Sequence, residues 1–380
     1  MLRLVFADSF AHYNDTALKW SSGGGVFETD PAHVRTGPQS LRIQAGDSPS
    51  ILNLRFPVDT GAFAIQPFAS FTLGFAWQTQ SLAGETIVEL WCTANLSPSP
   101  AERQFFLVQN TDGSISVLTG PGAGTLIGTT APGVLTIGPW WYIELTVDMN
   151  GATLVLTVTD AANVASTVLS ASGFATSQTI IDSLFWGGPS GANSAWIADF
   201  YFAFWDGLAP SLIGAPKIYG LVVPNADGVG KLDPGRTPPP FNVTAAPWWS
   251  QVNIIPQQTA VFIQRNNEAG DVFANPIGQA FQYDVSTLPA GATIGPLQVT
   301  MFISMAHDVS DSVPQVSTLQ GNTGDVGSFN SYGNLAGLDS DFLFYPFPFD
   351  QDPVNLVPWT ITEFTGTTAL QIGPLLQQPG

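Results

Sequence analysis

Glu144 and Asp148 stand four residues apart in the strand-like run Trp140-Trp-Tyr-Ile-Glu-Leu-Thr-Val-Asp148, with Thr146 between them. Side chains of a strand alternate between its faces, so all three share one face. Two carboxyls on a common face can divide the nucleophile and acid/base work of glycoside hydrolysis. The plainer expectation, which we adopt, is a solvent-facing row on a sandwich strand, with Leu145 and Val147 turned to the core. Glu85 and Glu89 repeat the spacing and carry the same plain reading.

Other chemistry is sparse. The chain has three histidines, His12, His33 and His307, and none has a neighbour at metal-ligand spacing. They are expected in turns or in solvent. His307 and Asp308 with Asp311 form the one weak cation cluster among them. No Gly-x-Ser-x-Gly elbow exists for a serine nucleophile. Cys92 is the single cysteine, so neither an intrachain disulfide nor a multi-cysteine zinc site can form. It follows the apolar run Ile87–Trp91 and is expected as a buried, inert thiol.

The background against which these residues stand is apolar and acidic. Of 380 residues, 44% are hydrophobic and 10% charged, against about a quarter in ordinary domains. A net charge of −19, with lysine only at positions 19, 217 and 231, argues against phosphate-backbone binding and therefore against nucleic-acid partners. No apolar run approaches the roughly 18 residues of a membrane span, and Met1–Phe6 does not read as a signal peptide. The expectation is synthesis in a bacterial cytoplasm without export and without membrane insertion.

The 38 glycines and 30 prolines break any long helical pattern and leave short alternating runs. Strands are expected near 71–77, 86–91, 104–109, 114–118, 140–148, 152–159, 181–186 and 196–205. Asn110–Gly113 reads as a hairpin turn, and Asn150-Gly151 as a type I′ turn with positive φ. The uncharged, Pro/Gly-broken stretch 208–216 separates two all-β domains, 1–207 and 217–380. The second is expected to open with a strand at 217–223 and to close at Trp359–Glu363.

The order of motifs carries a resemblance. It runs through Asp8-Ser9-Phe10, Tyr13, Lys19-Trp20 and a glycine run, then Thr36-Gly-Pro-Gln-Ser-Leu-Arg-Ile43. Gly138–Val147 and the Asn150-Gly151 hairpin follow, and Ile181-Asp182 with Ala198-Asp199-Phe200-Tyr201 closes the series. This resembles a laminin-G-like, concanavalin A-like jelly-roll domain of the kind found in structural proteins of tailed bacteriophages. The second half resembles the companion module of such proteins through Val222–Gly228, Asp352-Pro353 and Pro358-Trp359-Thr360, although Asn355 stands where that pattern has a threonine.

The resemblance implies two β-sandwich domains, the first a jelly roll, in a non-enzymatic virion protein at the tail tip or fibre. A capsid decoration or head-fibre protein is the alternative, followed by a glycan-degrading enzyme. Partners implied are other virion proteins, host-surface carbohydrate and, by analogy, further copies in a trimer or hexamer. Jelly-roll glucanases carry Glu-x-Asp-x-Glu on one strand; here Thr146 takes the central place. Such folds often hold calcium, for which Asp8 and Asp199 on the opening and closing strands are the candidates. Sugar stacking falls to Tyr13, Trp20, Trp77, Trp140 and Trp186. Phe342, Phe344, Tyr345, Phe347 and Phe349, five aromatics in eight uncharged residues, read as a protein interface.

Overall fold

Alternating apolar residues give antiparallel strands throughout. The computed structural model describes residues 2–10, 20, 24–47, 49–51, 55–57, 63–65, 69–92, 103–178, 180–189, 193–205 and 209–219. Beyond these it describes 229–231, 241–243, 263–265, 277–282, 288–293, 299–305, 313–320, 343–349, 359–364 and 370–377.

In chain order the strands begin with β1 (Leu2–Asp8), β2 (Val26–Glu28), β3 (Ser40–Gln44), β4 (Ser50–Ile51), β5 (Arg55–Pro57) and β6 (Phe63–Ile65). Next come β7 (Ser70–Thr79), β8 (Glu85–Trp91), β9 (Arg103–Gln109), β10 (Ile115–Thr119) and β11 (Thr125–Thr129). They continue with β12 (Trp141–Asp148), β13 (Thr153–Thr159), β14 (Ala165–Ser172), β15 (Ser183–Trp186) and β16 (Ser194–Trp205). The second half adds β17 (Val229–Lys231), β18 (Phe241–Val243), β19 (Ile263–Arg265) and β20 (Ile277–Gln282). It ends with β21 (Val299–Met305), β22 (Val313–Gln320), β23 (Leu343–Phe349) and β24 (Leu370–Gln377).

Two compact units result, one built mainly from residues up to Tyr219 and the other mainly from Gly220 onward. The first is a jelly-roll sandwich. An eight-stranded sheet has the order β14-β13-β12-β7-β16-β3-β2, with β1 also on β16, and a six-stranded sheet has the order β11-β10-β9-β8-β15-β4. The chain passes between them at β3–β4, between β4 and β7, and at β7–β8, β11–β12, β14–β15 and β15–β16. In the second unit the described strands form antiparallel pairs: a four-stranded sheet β17-β20-β24-β22 and the ladders β18–β19 and β21–β23.

The core of the first unit lies between its sheets. Phe71, Leu73, Phe75 and Trp77 alternate along β7 and stand beside Val147, Leu145 and Ile143 of β12, all at most 1% exposed. Rings bridge the two sheets: Phe75 meets Trp186 edge-on at 4.8 Å and Phe71 meets Phe105 at 6.4 Å. Each fully buried ring contributes roughly 1.5–3 kcal/mol by area alone.

Two local expectations are corrected. The β12–β13 turn is not type I′: Asp148 pairs with Thr153, and the left-handed residue is Ala152 (φ 47). The Asp148 carboxylate holds this turn by accepting the Asn150 and Gly151 N–H groups. Lys217–Tyr219 is not in a strand. The closing segment holds a 3-10 turn at Ile361–Phe364.

On the outer face of the large sheet the Tyr201 ring lies over Gly74. A Cβ there would sit 2.4 Å from Tyr201 Cε1 and 2.8 Å from Tyr142 Oη. Gly74→Ala is expected to destabilise the first unit by about 1–3 kcal/mol, as overpacking does. Urea unfolding checks this, and an unchanged midpoint would show that the ring swings aside freely.

Candidate functional site

The outer face of the eight-stranded sheet carries the residues with chemistry. Alternation brings Tyr142, Glu144 and Thr146 of β12 to this face, beside Ala76, Gly74 and Thr72 of β7 and Thr159, Thr157 and Val155 of β13. From β16 come Tyr201 and Ala203. A bulge between Ala198 and Tyr201 gives Asp199 a left-handed φ of 48°, which aspartate tolerates better than bulkier residues.

This face is closed by the chain itself. Residues 209–219, which take in most of the 208–216 stretch expected as a linker, run over it as a strap. Thr72 Oγ1 donates to the Ser211 carbonyl (3.0 Å). The Ile213 N–H donates to Glu144 Oε1, and the Gly214 N–H reaches Glu144 Oε2 at 3.0 Å. Arg35 donates to the Pro216 carbonyl (3.1 Å), and the Ile218 N–H donates to Asp199 Oδ1 (2.9 Å).

Beneath the strap lie two carboxylates and one guanidinium. Asp199 is wholly buried, pairs with Arg35 and accepts the Thr36 hydroxyl at 2.8 Å. Its carbonyl accepts the Tyr142 hydroxyl (3.2 Å), and the Arg35 guanidinium stands 5.0 Å from the Tyr142 ring centre. Among the described residues Glu144, 2% exposed, has neutral donors alone: Tyr201 Oη at 2.7 Å and the two strap N–H groups. The expected solvent row is thus overturned at Glu144 and Thr146. Leu145 and Val147 do face the core, but the strap takes the other side out of water as well.

Burial pushes the Glu144 carboxyl above its ordinary range, against the opposing pull of the Ile213 N–H, the Tyr201 hydroxyl and the Gly214 N–H. Burial likewise raises Asp199, opposed first by the Arg35 charge and then by the Ile218 N–H and the Thr36 hydroxyl. Tyr142 and Tyr201 are driven well above the usual phenol range, chiefly by desolvation, and stay neutral.

Asp8 and Asp199, the calcium candidates, direct their carboxylates at donors of the chain itself, whereas calcium takes six to eight oxygen ligands. The Asp199 carboxylate already holds a guanidinium, and the Asp8 carboxylate accepts the Phe10 N–H (2.7 Å) and the Trp20 indole N–H (2.9 Å). Among the described residues no three His, Cys, Asp or Glu side chains gather as metal ligands.

Trp20, Trp77 and Trp186 are at most 2% exposed, so none presents a ring face to a sugar. Trp20 packs on Phe6, Phe10, Trp186 and Phe200, and Trp77 donates to Gln109 Oε1. Trp140 is half-buried just before β12, next to half-buried Trp141 and to Ile137, which is 57% exposed. Phe344, Tyr345, Phe347 and Phe349 fall on β23, paired with β21. Tyr13, Phe342, His12, His307, Asp308 and Asp311 lie outside the described residues. His33 stacks on Trp196 with ring centres 3.7 Å apart and meets Gln78 Oε1 at 2.9 Å, and Cys92 is buried.

Sequence reasoning missed Arg35, Tyr142 and Tyr201. The available signal was scarcity: with ten Lys and Arg in the chain, an arginine in a short turn is a natural counter-ion for a buried acid. Arg35→Met is expected to cost about 3–5 kcal/mol by stranding Asp199. The double variant with Asp199→Asn should recover part of that loss in a denaturation cycle. Additive losses would contradict the pairing.

No protein-family model and no curated protein matches the chain. Among solved structures it is similar to the VIP36 exoplasmic/lumenal domain in its Ca2+/Man3GlcNAc-bound form, at 11% identity over 47% of this chain and 90% of that one, TM-score 0.34. It is similar to the carbohydrate esterase vb_24B_21 from Shiga toxin-encoding bacteriophage phi24B, at 12% identity over 54% and 99%, TM-score 0.36. It is also similar to lectin II from Ulex europaeus, at 12% identity over 52% and 100%, TM-score 0.33.

Proposed function

We propose that the chain is a non-enzymatic attachment protein of a tailed-phage particle, whose first unit contacts cell-surface glycans and whose second unit contacts other virion proteins. The observation that carries the attachment half is the state of the β12 acids. A glycosidase needs two carboxyls converging on a cleft that a sugar can enter. Here Glu144 is bonded to Tyr201 and to the strap, while Asp148 caps the β12–β13 turn and accepts the Ser70 hydroxyl at 3.2 Å. Both acids act as structural acceptors.

Stacking on a sugar needs an accessible ring, and the rim around Ile137, Trp140 and Trp141 supplies accessible apolar surface. The virion assignment rests on the order of sequence motifs set out above.

A glycan array probed with the full chain, run beside a reducing-sugar assay, tests the reading. The expected result is binding without sugar release, with affinity falling at least about tenfold in Trp140→Ala. Sugar release lost in Glu144→Gln would replace this reading with an enzymatic one. Mass spectrometry of purified particles checks the virion half, which fails if the chain is absent.

A further inference from the structure

We propose that the strap 209–219 is a proton-linked latch: it docks on the large sheet together with a proton taken up at Glu144, and it loosens when that proton leaves.

The argument starts from charge. Docking closes the strap over two carboxylates and one guanidinium, and Arg35 is spent on Asp199. Among the described residues no cation pairs with Glu144, so its ionised form is an unmatched buried charge, held by hydrogen bonds alone. Every element packed against it agrees. β12 presents Tyr142 and, one turn-cap away, Asp148; β16 presents Tyr201 and Asp199. β7 and β13 present Thr72, Gly74 and Thr157, which do not titrate. The strap brings exposed Lys217 and, beside Asp199, Tyr219.

The second strand of the argument is how the strap is held. Among the described residues it makes no backbone-to-backbone hydrogen bond to any strand. Its contacts run through the side chains of Thr72, Glu144, Arg35 and Asp199, and Leu212 is 42% exposed. Segments of this kind open at low free-energy cost compared with ladder-bonded core strands.

Linkage then fixes the sign. With the strap lifted, Glu144 meets water and returns toward the ordinary carboxyl range; docked, burial raises it. The docked state therefore binds the extra proton between those two values. Docking is tightest at and below the ordinary value, weakens as pH rises through the raised one by at most about tenfold per pH unit, and then levels off.

Hydrogen exchange of the full chain between about pH 4.5 and 8.5, corrected for the intrinsic rate at each pH, reads this directly. Peptides covering 209–219 are expected to lose protection as pH rises, while β7 and β12 peptides do not. In Glu144→Gln, which cannot take up the proton, that slope should fall to the residual that Asp199 leaves. Should this variant fail to fold, Tyr201→Phe removes a donor that favours the ionised form and is expected to move the midpoint upward. A flat wild-type profile, an unchanged slope in Glu144→Gln, or an unmoved midpoint in Tyr201→Phe would overturn the latch.

Discussion

Buried Asp199 ties distant segments of the first unit together through its carboxylate and its backbone carbonyl. It sits on a β-bulge of the longest strand with its backbone in the left-handed region. Its oxygens hold Arg35 and Thr36 ahead of β3 and Ile218 at the end of the strap, and its carbonyl holds the Tyr142 hydroxyl of β12. A charge taken wholly out of water persists only when its partners are in place. Four segments distant in sequence are thereby required to meet at one point.

That requirement accounts for the character of the outer sheet face. An open sheet face bearing carboxylates and tyrosines would be a cleft available to solutes. Here the chain leaves β16 and turns back over the sheet it has just completed, and the sheet's polar groups become the strap's anchors. Gly74 belongs to the same design, since only a residue without Cβ leaves room for the Tyr201 ring that bonds Glu144. Glu144 is hydrogen-bonded to Tyr201 and to the strap of its own chain.

The aromatic richness divides along similar lines. Phe6, Phe10, Trp20, Trp186 and Phe200 form one continuous cluster, with Asp8 accepting the Trp20 indole N–H. These rings close the sandwich near β1 and β15. The tryptophan pair at the start of β12 has a different environment, because the preceding loop runs at the surface and leaves both rings partly in solvent. The same residue type is thus fully buried at Trp20, Trp77 and Trp186 and half-buried at Trp140 and Trp141.

The sequence by itself determined the β class, the strands β7 to β10, β12, β13, β15 and β16 to within a few residues, and the inward row Leu145 and Val147. Period-2 alternation and Gly/Pro punctuation are local signals that survive without tertiary context. It missed β14, whose Ala165–Ser172 is largely exposed and so shows no apolar alternation. It also misread Glu144, Trp20, Trp77 and Trp186, because exposure is not a property of a residue and its neighbours in sequence. Only the tertiary structure decided which faces meet water, since that depends on segments such as 209–219 returning from 65 or more positions away to cover Glu144.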